Sequence, residues 1–247
     1  LLADIAYHKS KVDRGFTEIY DIWGPDHHGY IARLQGAMQA LGFPAERFRV
    51  LIAQQVNMFD QGQPVVMSKR SGMLITMKDL LKDIPVDVLR YFFVMRSFDA
   101  HLDFDLGQAR DTSEKNPFYY VAYAHARIQS IFQKAKERGL EPDSTGELEM
   151  TAERRRLFFL VARFPEEVVD CARTLEPHRL VTFLYHMATA LSQFYGPPEN
   201  KIIEQDKVVA GRLLELLRAV AACLKNGLAL LGMKAPDRLQ RERGAEI

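Results

Sequence analysis

Residues 16–43, FTEIYDIWGPDHHGYIARLQGAMQALGF, contain a change of hydrophobic period that decides the fold of the first part of the chain. Apolar and polar residues alternate over residues 16–24, which is typical of a half-buried β-strand. From Asp26 onward the apolar residues recur at helical spacing, and residues 47–59, RFRVLIAQQVNMF, again have strand character. We therefore predict a strand, a helix and a second strand, the order of a βαβ unit in an α/β fold.

Long helical patterns replace this alternation from about residue 114 onward. Asn116, directly before Pro117, is a start signal for a helix that ends at Gly139. Three further helices are predicted, at residues 151–175, 177–195 and 205–231. The predicted fold class is α/β plus all-α: an α/β part followed by a bundle of four or more helices, with a boundary between residues 105 and 106.

The composition limits the possible partners of the chain. Its 247 residues include 33 Lys and Arg against 32 Asp and Glu, a formal net charge of +1, so any nucleic-acid surface has to be local. Cys171 and Cys223 have no Cys or His at metal spacing, which predicts reduced cysteines and no metal site. No apolar run approaches the roughly 20 residues that span a bilayer. The chain opens with LLADIAYHKSK and no Met, and we expect it to be a piece of a longer protein.

Residues 64–76, PVVMSKRSGMLIT, interrupt a hydrophobic run with a dense set of anion donors. Lys69 and Arg70 supply charge, Ser68 supplies a hydroxyl group, and Gly72 allows the backbone to turn and present its N–H groups. The same composition also fits an exposed hairpin turn. From these residues alone, a turn and a phosphate-binding loop both remain open.

The polar residues after the first predicted strand form a candidate site, namely Gly24, Asp26, His27 and His28. Ligands of open α/β sheets bind at the carboxyl ends of strands, and in a turn both histidines can face a cleft. The alternative is that one histidine caps the next helix and the other lies in solvent. Asp-His-His is also a signature of manganese phosphoesterases, although residues 1–25 offer no further ligands in a matching arrangement.

The start of the first long helix combines aromatic and basic side chains, at Tyr119, Tyr120, Tyr123, His125 and Arg127. Such side chains suit the unstacked bases and phosphates of RNA. Core packing is the alternative, and we expect it for at least one of the tyrosines. Residues 154–156 are three consecutive arginines at a helix start, for which we expect a solvated helix with one or two phosphate contacts.

Four stretches, in this order, resemble the C-terminal half of a bacterial arginyl-tRNA synthetase: ADIAYHKSKVDRGFTEIYDIWGPDHHGYIARL, VVMSKRSGMLITMKDLL, DVLRYFF and KNPFYYVAYAHARIQSI. The resemblance covers essentially the whole chain, and WGPDHHGY and NPFYY are its most specific parts. It implies that residues 1–105 are the C-terminal part of a Rossmann-type class I catalytic domain. Residues 106–247 would then be a helical anticodon-binding domain of the DALR type.

The resemblance also implies roles for the residues of the first part. MSKRSG takes the place of the Lys-Met-Ser-Lys-Ser signature of class I synthetases, which favours the phosphate loop, with Lys69 and Ser68 as catalytic residues. Val66 stands where the family has its first lysine. Asp4 would face the guanidinium of bound arginine, with His28 in the same pocket. From the residues alone, Asp4 could equally be a helix N-cap.

The remaining implied contacts are with ATP and tRNA. The residues implied on the ATP side are Gly24, Asp26, His27 and Met67. The residues implied on the tRNA side are Tyr120, Tyr123 and Arg127. The His-Ile-Gly-His-type nucleotide motif of the family has no counterpart in this sequence, so we expect no activation of arginine by this chain alone.

The function implied by the resemblance is that of an arginine–tRNA ligase. It would use ATP with Mg²⁺ to form arginyl-adenylate and transfer the arginyl group to the terminal adenosine of tRNA(Arg), in a cytoplasmic, monomeric protein without a membrane partner. One alternative is a stand-alone RNA-binding helical module without catalytic activity. Another is a different class I synthetase, such as that for cysteine, but this chain lacks ligands for a cysteine-selective zinc site.

Overall fold

The computed structural model describes residues 1–65 and 75–239, and the chain divides into two compact units. The first unit comprises Leu1–Asn57 with Arg96–Asp103, and the second comprises Met58–Met95 with the residues from Phe104 onward. The chain passes from one unit to the other three times, twice within β-strands described below and once between Met95 and Arg96. The boundary predicted between residues 105 and 106 stays a prediction.

The first unit contains the predicted order of strand, helix and strand. Its elements are α1 (Leu2–Asp13), β1 (Ile19–Trp23), a 3₁₀ helix (Pro25–Tyr30), α2 (Ile31–Ala40) and β2 (Phe48–Ile52). The two strands pair in parallel, from Ile19 opposite Phe48 to Trp23 opposite Ile52. Parallel pairing requires a crossover connection, which α2 supplies. The residues buried between these elements are Ile19, Leu34, Met38, Phe43 and Phe48.

The second predicted strand, residues 47–59, is two strands rather than one. The N–H of Ala53 still donates to Trp23 O of β1 (2.8 Å), whereas the N–H of Gln54 donates to Phe98 O (2.8 Å), so the chain leaves the first sheet at Gln54. β3 (Val56–Asp60) then joins a three-stranded sheet in the order β4-β3-β5, with β4 at Gln63–Pro64 and β5 at Leu102–Asp105. The hairpin between β3 and β4 turns at Gln61 (φ 49°) and Gly62 (φ 77°), the left-handed pair that a two-residue hairpin favours.

The second unit is built from helices. Three short ones are α3 (Met77–Asp83), α4 (Val86–Val94) and α5 (Leu106–Arg110), and four long ones are α6 (Pro117–Glu137), α7 (Ala152–Thr174), α8 (Pro177–Phe194) and α9 (Lys207–Leu230). The long helices match the predicted ones, so the expectation of a helical bundle is confirmed. Among the described residues, no helix is both long and apolar enough to cross a membrane.

Local capping explains where the long helices begin and end. The Asn116 side chain accepts the N–H of Phe118 at the start of α6, and Asp206 accepts two N–H groups at the start of α9. Gly139 (φ 66°) follows the end of α6, and Leu175 (φ 61°) ends α7. These caps satisfy backbone groups that have no partner inside the helix.

The helices α8 and α9 approach each other closely at a glycine. A Cβ at Gly227 would lie 2.6 Å from Cδ2 of Leu184, so any larger residue there would force the Leu184 side chain to shift. Leucines of these two helices are completely buried, including Leu184, Leu213, Leu217 and Leu224. This core holds the helices that form the groove described below.

Candidate functional site

The polar residues after β1 lie in the 3₁₀ helix Pro25–Tyr30 at the carboxyl end of the strand. Asp26, His27 and His28 are all exposed, and there is open space around the α-carbons of Gly24 and Gly29. The strand therefore ends in an accessible segment with carboxylate, imidazole and backbone groups. This is the position where ligands of parallel sheets bind.

The two histidines of this segment differ in their surroundings. The His27 ring makes edge contacts with Trp23 (6.3 Å between ring centroids) and Tyr30 (6.5 Å), whereas His28 makes no such ring contact with the described residues. Neither histidine caps α2, because Tyr30 is the N-cap and no side chain bonds the cap position. The idea that one histidine is a helix cap is therefore wrong.

A metal site at this position lacks support in the described part of the chain. There, no group of three or more His, Cys, Asp or Glu side chains comes together in a way that could hold a metal ion. The Asp26-His27-His28 run therefore has no additional ligands among the described residues. The manganese phosphoesterase alternative depends on such ligands.

Asp4 lies in the first turn of α1. Its side chain is 62% exposed. Asp4 lies inside α1 and not at its boundary, so the alternative that Asp4 caps this helix is wrong. No hydrogen bond or ion pair joins Asp4 to His28 in the described residues, and their proximity in a common pocket stays a prediction.

A buried polar cluster that the sequence did not reveal joins α1 to β1. His8 is 5% exposed, and its Nδ1 lies 2.7 Å from the backbone oxygen of Asp4. Its Nε2 lies 2.7 Å from Oδ2 of Asp21, and the Lys11 ammonium is 3.4 Å from the other carboxylate oxygen. A buried carboxylate is stabilised by such partners. The cluster thus fixes the helix that carries Asp4 on the strand that leads to Gly24.

The predicted phosphate loop comprises residues 64–76. Met67, Ser68 and Lys69 lie outside the described residues. At the carboxyl end of the predicted loop, Thr76 begins the helix α3 with a capping box. Thr76 Oγ1 accepts the N–H of Asp79, and the Asp79 carboxylate accepts the N–H of Thr76.

The second unit contains an open groove of about 1180 Å³ between α6, α8 and the residues after α9. All three residues predicted on the tRNA side, Tyr120, Tyr123 and Arg127, line this groove. Its positively charged lining residues are Arg127, Lys134 and Arg238, and its negatively charged lining residues are Glu114 and Asp237. The lining of the groove therefore carries one more positive than negative charge, in a chain of almost zero net charge.

The aromatic side chains of the groove present both rings and hydroxyl groups. The rings of Tyr120 and Tyr185 lie 4.9 Å apart at an angle of 34°, and the Tyr123 hydroxyl donates to Thr112 O at 3.0 Å. Both Tyr120 and Tyr123 are half-buried. Burial raises the pKa of the Tyr195 phenol, and the charge of the nearby Arg127 acts in the opposite direction. The groove can therefore offer π-faces beside a guanidinium group.

Two expectations for the helical part are corrected by burial. His125 is 1% exposed, and its Nδ1 donates to Pro236 O at 3.0 Å, so it has a structural role instead of facing RNA bases. Arg154 is 4% exposed and donates to Glu149 O, Glu199 O and Asn200 Oδ1, each at 2.8 Å. Arg154 is therefore a buried side chain that joins two loops by hydrogen bonds, whereas we expected a solvated side chain for residues 154–156.

Comparison with known proteins first identifies the class of the helical part. Residues 121–239 match the model of the family described as the DALR anticodon binding domain. The match includes Tyr123 and Arg127 and the described residues after α9.

The nearly complete chain is also similar to longer proteins. It is 51% identical over 245 residues to the arginine–tRNA ligase of Leptospira interrogans, which covers 98% of this chain and 42% of that protein. It is 47% identical over 249 residues to the arginine–tRNA ligase of Leptospira biflexa, covering 98% and 42% of the two chains. A crystal structure from Campylobacter jejuni, provisionally assigned as an arginyl-tRNA synthetase, matches with a TM-score of 0.84 and 33% identity over 96% of this chain and 51% of that one.

These similarities confirm the predicted resemblance of this chain to arginyl-tRNA synthetases. The chain spans about two fifths, 42%, of the length of the curated relatives that it matches.

Proposed function

We propose that this chain acts as part of an arginine–tRNA ligase. Such an enzyme uses ATP to activate arginine as arginyl-adenylate and then transfers the arginyl group to the 3′-terminal adenosine of tRNA. The observation that carries the proposal is the 51% identity to an arginine–tRNA ligase over 98% of this chain. This similarity extends over both units, so it favours the ligase over a stand-alone RNA-binding module.

In this proposal residues 1–105 form the C-terminal part of a Rossmann-type catalytic domain. The parallel pair β1 and β2 and the exposed segment after β1 support it. Asp4 holds the guanidinium of arginine through its exposed carboxylate, because a carboxylate can accept two parallel N–H bonds from that planar group. His28 contributes to the same pocket.

The nucleotide side of this site is assigned to residues at the carboxyl end of β1. Gly24, Asp26 and His27 line the ATP and adenylate, and the open space at Gly24 fits the close approach of a nucleotide. No metal-ligand cluster occurs among the described residues, so Mg²⁺ would be held chiefly by the phosphates of ATP.

The phosphate chemistry is assigned to Met67, Ser68 and Lys69, which lie outside the described residues. Lys69 stabilises the negative charge that develops as pyrophosphate separates from the adenylate, Ser68 donates a hydrogen bond to a phosphate oxygen, and Met67 borders the nucleotide. The charge of Lys69 does not change in this step, so its contribution is electrostatic.

Residues 106–247 form the tRNA-binding part in this proposal. Tyr120 and Tyr123 stack on unpaired anticodon bases, and Arg127 contacts a phosphate. The position of all three in one groove supports this role. The partner is tRNA(Arg), and the complete protein is proposed to be cytoplasmic and monomeric.

The test compares charging of tRNA(Arg) by the complete natural protein and by its Lys69→Ala variant. Loss of a cation that acts on the transition state is expected to lower kcat about 10²–10³-fold with little change in the KM for arginine. Lys201→Ala is the matched control, because Lys201 is exposed and lies outside the proposed sites. A Lys69 variant that charges tRNA at the rate of the control would contradict the assignment of the loop.

A further inference from the structure

Residues 232–239, which we call the post-α9 segment, fold back over the helical unit in a defined way. Gly232 (φ 74°) turns the chain out of α9, and the N–H of Met233 donates to Leu228 O at 2.8 Å. The Met233 side chain is 3% exposed. The segment therefore begins with a buried anchor and is not a free extension of the helix.

The first part of the segment contacts α4 through the two outer residues of the Asp-Val-Leu-Arg motif. Oδ2 of Asp87 accepts the N–H of Lys234 at 3.2 Å. The Arg90 side chain lies so close to Gly232 that a Cβ there would be 3.3 Å from three of its atoms. Asp87 and Arg90 share one helix face because they are three residues apart. The middle residues Val88 and Leu89 are buried on the other side.

The second part of the segment contacts α6. The buried His125 donates from Nδ1 to Pro236 O at 3.0 Å, and Nη2 of Arg238 donates to Oε1 of Gln133 at 3.2 Å. Beyond Pro236, the residues Asp237, Arg238 and Leu239 line the groove that also contains Arg127. The same short segment thus touches α4 at one end and forms a wall of the groove at the other.

We propose that Asp87 and Arg90 are positioning residues that hold the post-α9 segment in place as a wall of the tRNA-binding groove. The proposal rests on the proposed function, in which this groove takes the anticodon arm of tRNA. Asp87 and Arg90 are absent from the lining of the groove, so they act on binding through the segment. Without the Asp87 acceptor, the Lys234 N–H loses its partner and Arg238 and Leu239 are less ordered when RNA arrives.

Two substitutions of Asp87 separate the hydrogen bond from the charge. Asp87→Ala and Asp87→Asn both remove one negative charge, but only Asn keeps a side-chain oxygen that can accept the Lys234 N–H. Loss of an acidic group strengthens RNA binding in general, but it does so equally in both variants. The difference in RNA affinity between the two variants therefore does not contain this effect. The same holds for the stabilisation that a negative charge gives to the first turn of α4, which both variants lose.

The experiment combines hydrogen exchange with RNA binding by the full chain. The probe is a fluorescein-labelled RNA hairpin with the sequence of the tRNA(Arg) anticodon arm, followed by fluorescence anisotropy. For Asp87→Ala we expect faster amide exchange within residues 234–239 and about fivefold weaker binding of the hairpin than for Asp87→Asn. Gly232→Ala, which pushes Arg90 away and strains the backbone at φ 74°, tests the other anchor and should give the same pair of changes.

The outcomes distinguish this proposal from the proposed function. If the unsubstituted chain binds the hairpin and Asp87→Ala binds as tightly as Asp87→Asn, the positioning role is refuted and the proposed function stands. If the unsubstituted chain does not bind the hairpin, the tRNA-binding part of the proposed function fails, and the positioning role with it. Weaker binding without faster exchange in the segment would also refute positioning, since the effect would then arise elsewhere.

Discussion

Asn116 offers a stringent test of how the helical unit is held together at the start of α6. Its side chain is completely buried at the start of α6. Oδ1 accepts the N–H of Phe118 at 3.0 Å, and Nδ2 lies 3.2, 3.3 and 2.9 Å from the backbone oxygens of Gln108, Ala109 and Asp111. One side chain therefore both caps α6 and satisfies the last carbonyl groups of α5.

The cost of Asn116→Ala follows from these contacts. Loss of the N-cap costs about 1 kcal/mol, and loss of the two amide donors costs about 1 kcal/mol each, so the helical unit should lose about 3 kcal/mol of its free energy of unfolding. Asn116→Asp keeps the capping oxygen but has no donors, and it places a carboxylate among carbonyl oxygens. We expect it to lose about 2 kcal/mol or more.

Urea unfolding followed by circular dichroism measures both losses. The matched control is Asn226→Ala on the exposed side of α9, which should change the free energy of unfolding by no more than about 0.5 kcal/mol. The account of Asn116 is refuted if Asn116→Ala costs less than about 1 kcal/mol at an unchanged slope, or if Asn116→Asp is as stable as the unsubstituted chain.

Three further predictions concern single charges. Arg154→Ala should lower the free energy of unfolding in urea by about 3 kcal/mol, because it leaves three buried acceptors without a partner. Arg155→Ala, at an exposed arginine, should lower it by less than about 0.5 kcal/mol. Equal losses would contradict the buried hydrogen bonds of Arg154. A hydrogen bond from Lys82 holds the pKa of Asp79 well below its usual range. The pair therefore stabilises the fold at neutral pH, and this stabilisation is lost as the pH falls through the folded-state pKa of Asp79. Carboxyl NMR titration should show a higher Asp79 pKa in Lys82→Ala, and an unchanged value would refute the pairing. Arg127→Ala should weaken binding of the anticodon-arm hairpin and reduce the dependence of log K on log salt by about one unit. Lys201→Ala, at an exposed lysine outside the proposed sites, is its control, and an unchanged slope for Arg127→Ala would exclude a phosphate contact.

The long helices could be predicted because the signals that begin and end them are local. Asn116 followed by Pro117 starts α6 and Gly139 follows its end, as their neighbours in the sequence indicate. The parallel pairing of β1 and β2 could likewise be anticipated from a strand pattern on either side of a helical one. In each case, the residues that determine the element lie within it or next to it.

Features that depend on distant partners could not be predicted. The break between β2 and β3 occurs where the N–H of Gln54 donates to Phe98 O, and Phe98 is far away in the sequence. A continuous run of strand-forming residues gives no sign of it.

The candidate sites show the same limit. Three consecutive arginines look alike in the sequence, and only the carbonyl groups of Glu149 and Glu199 make Arg154 the buried one. His8 is equally inconspicuous until β1 brings Asp21 against it. In contrast, Tyr120, Tyr123 and Arg127 share one groove because they lie on a single helix, where spacing alone limits which residues can be neighbours.

The central claim is best tested by the amino acid that the complete natural protein attaches to tRNA. Purified protein, ATP, Mg²⁺ and total tRNA are incubated with radiolabelled arginine, lysine or cysteine in parallel, and acid-precipitable counts are measured. The account predicts charging with arginine alone, at a rate that falls sharply in Lys69→Ala. Charging with cysteine, or no charging with any of the three while the anticodon-arm hairpin still binds, would contradict it.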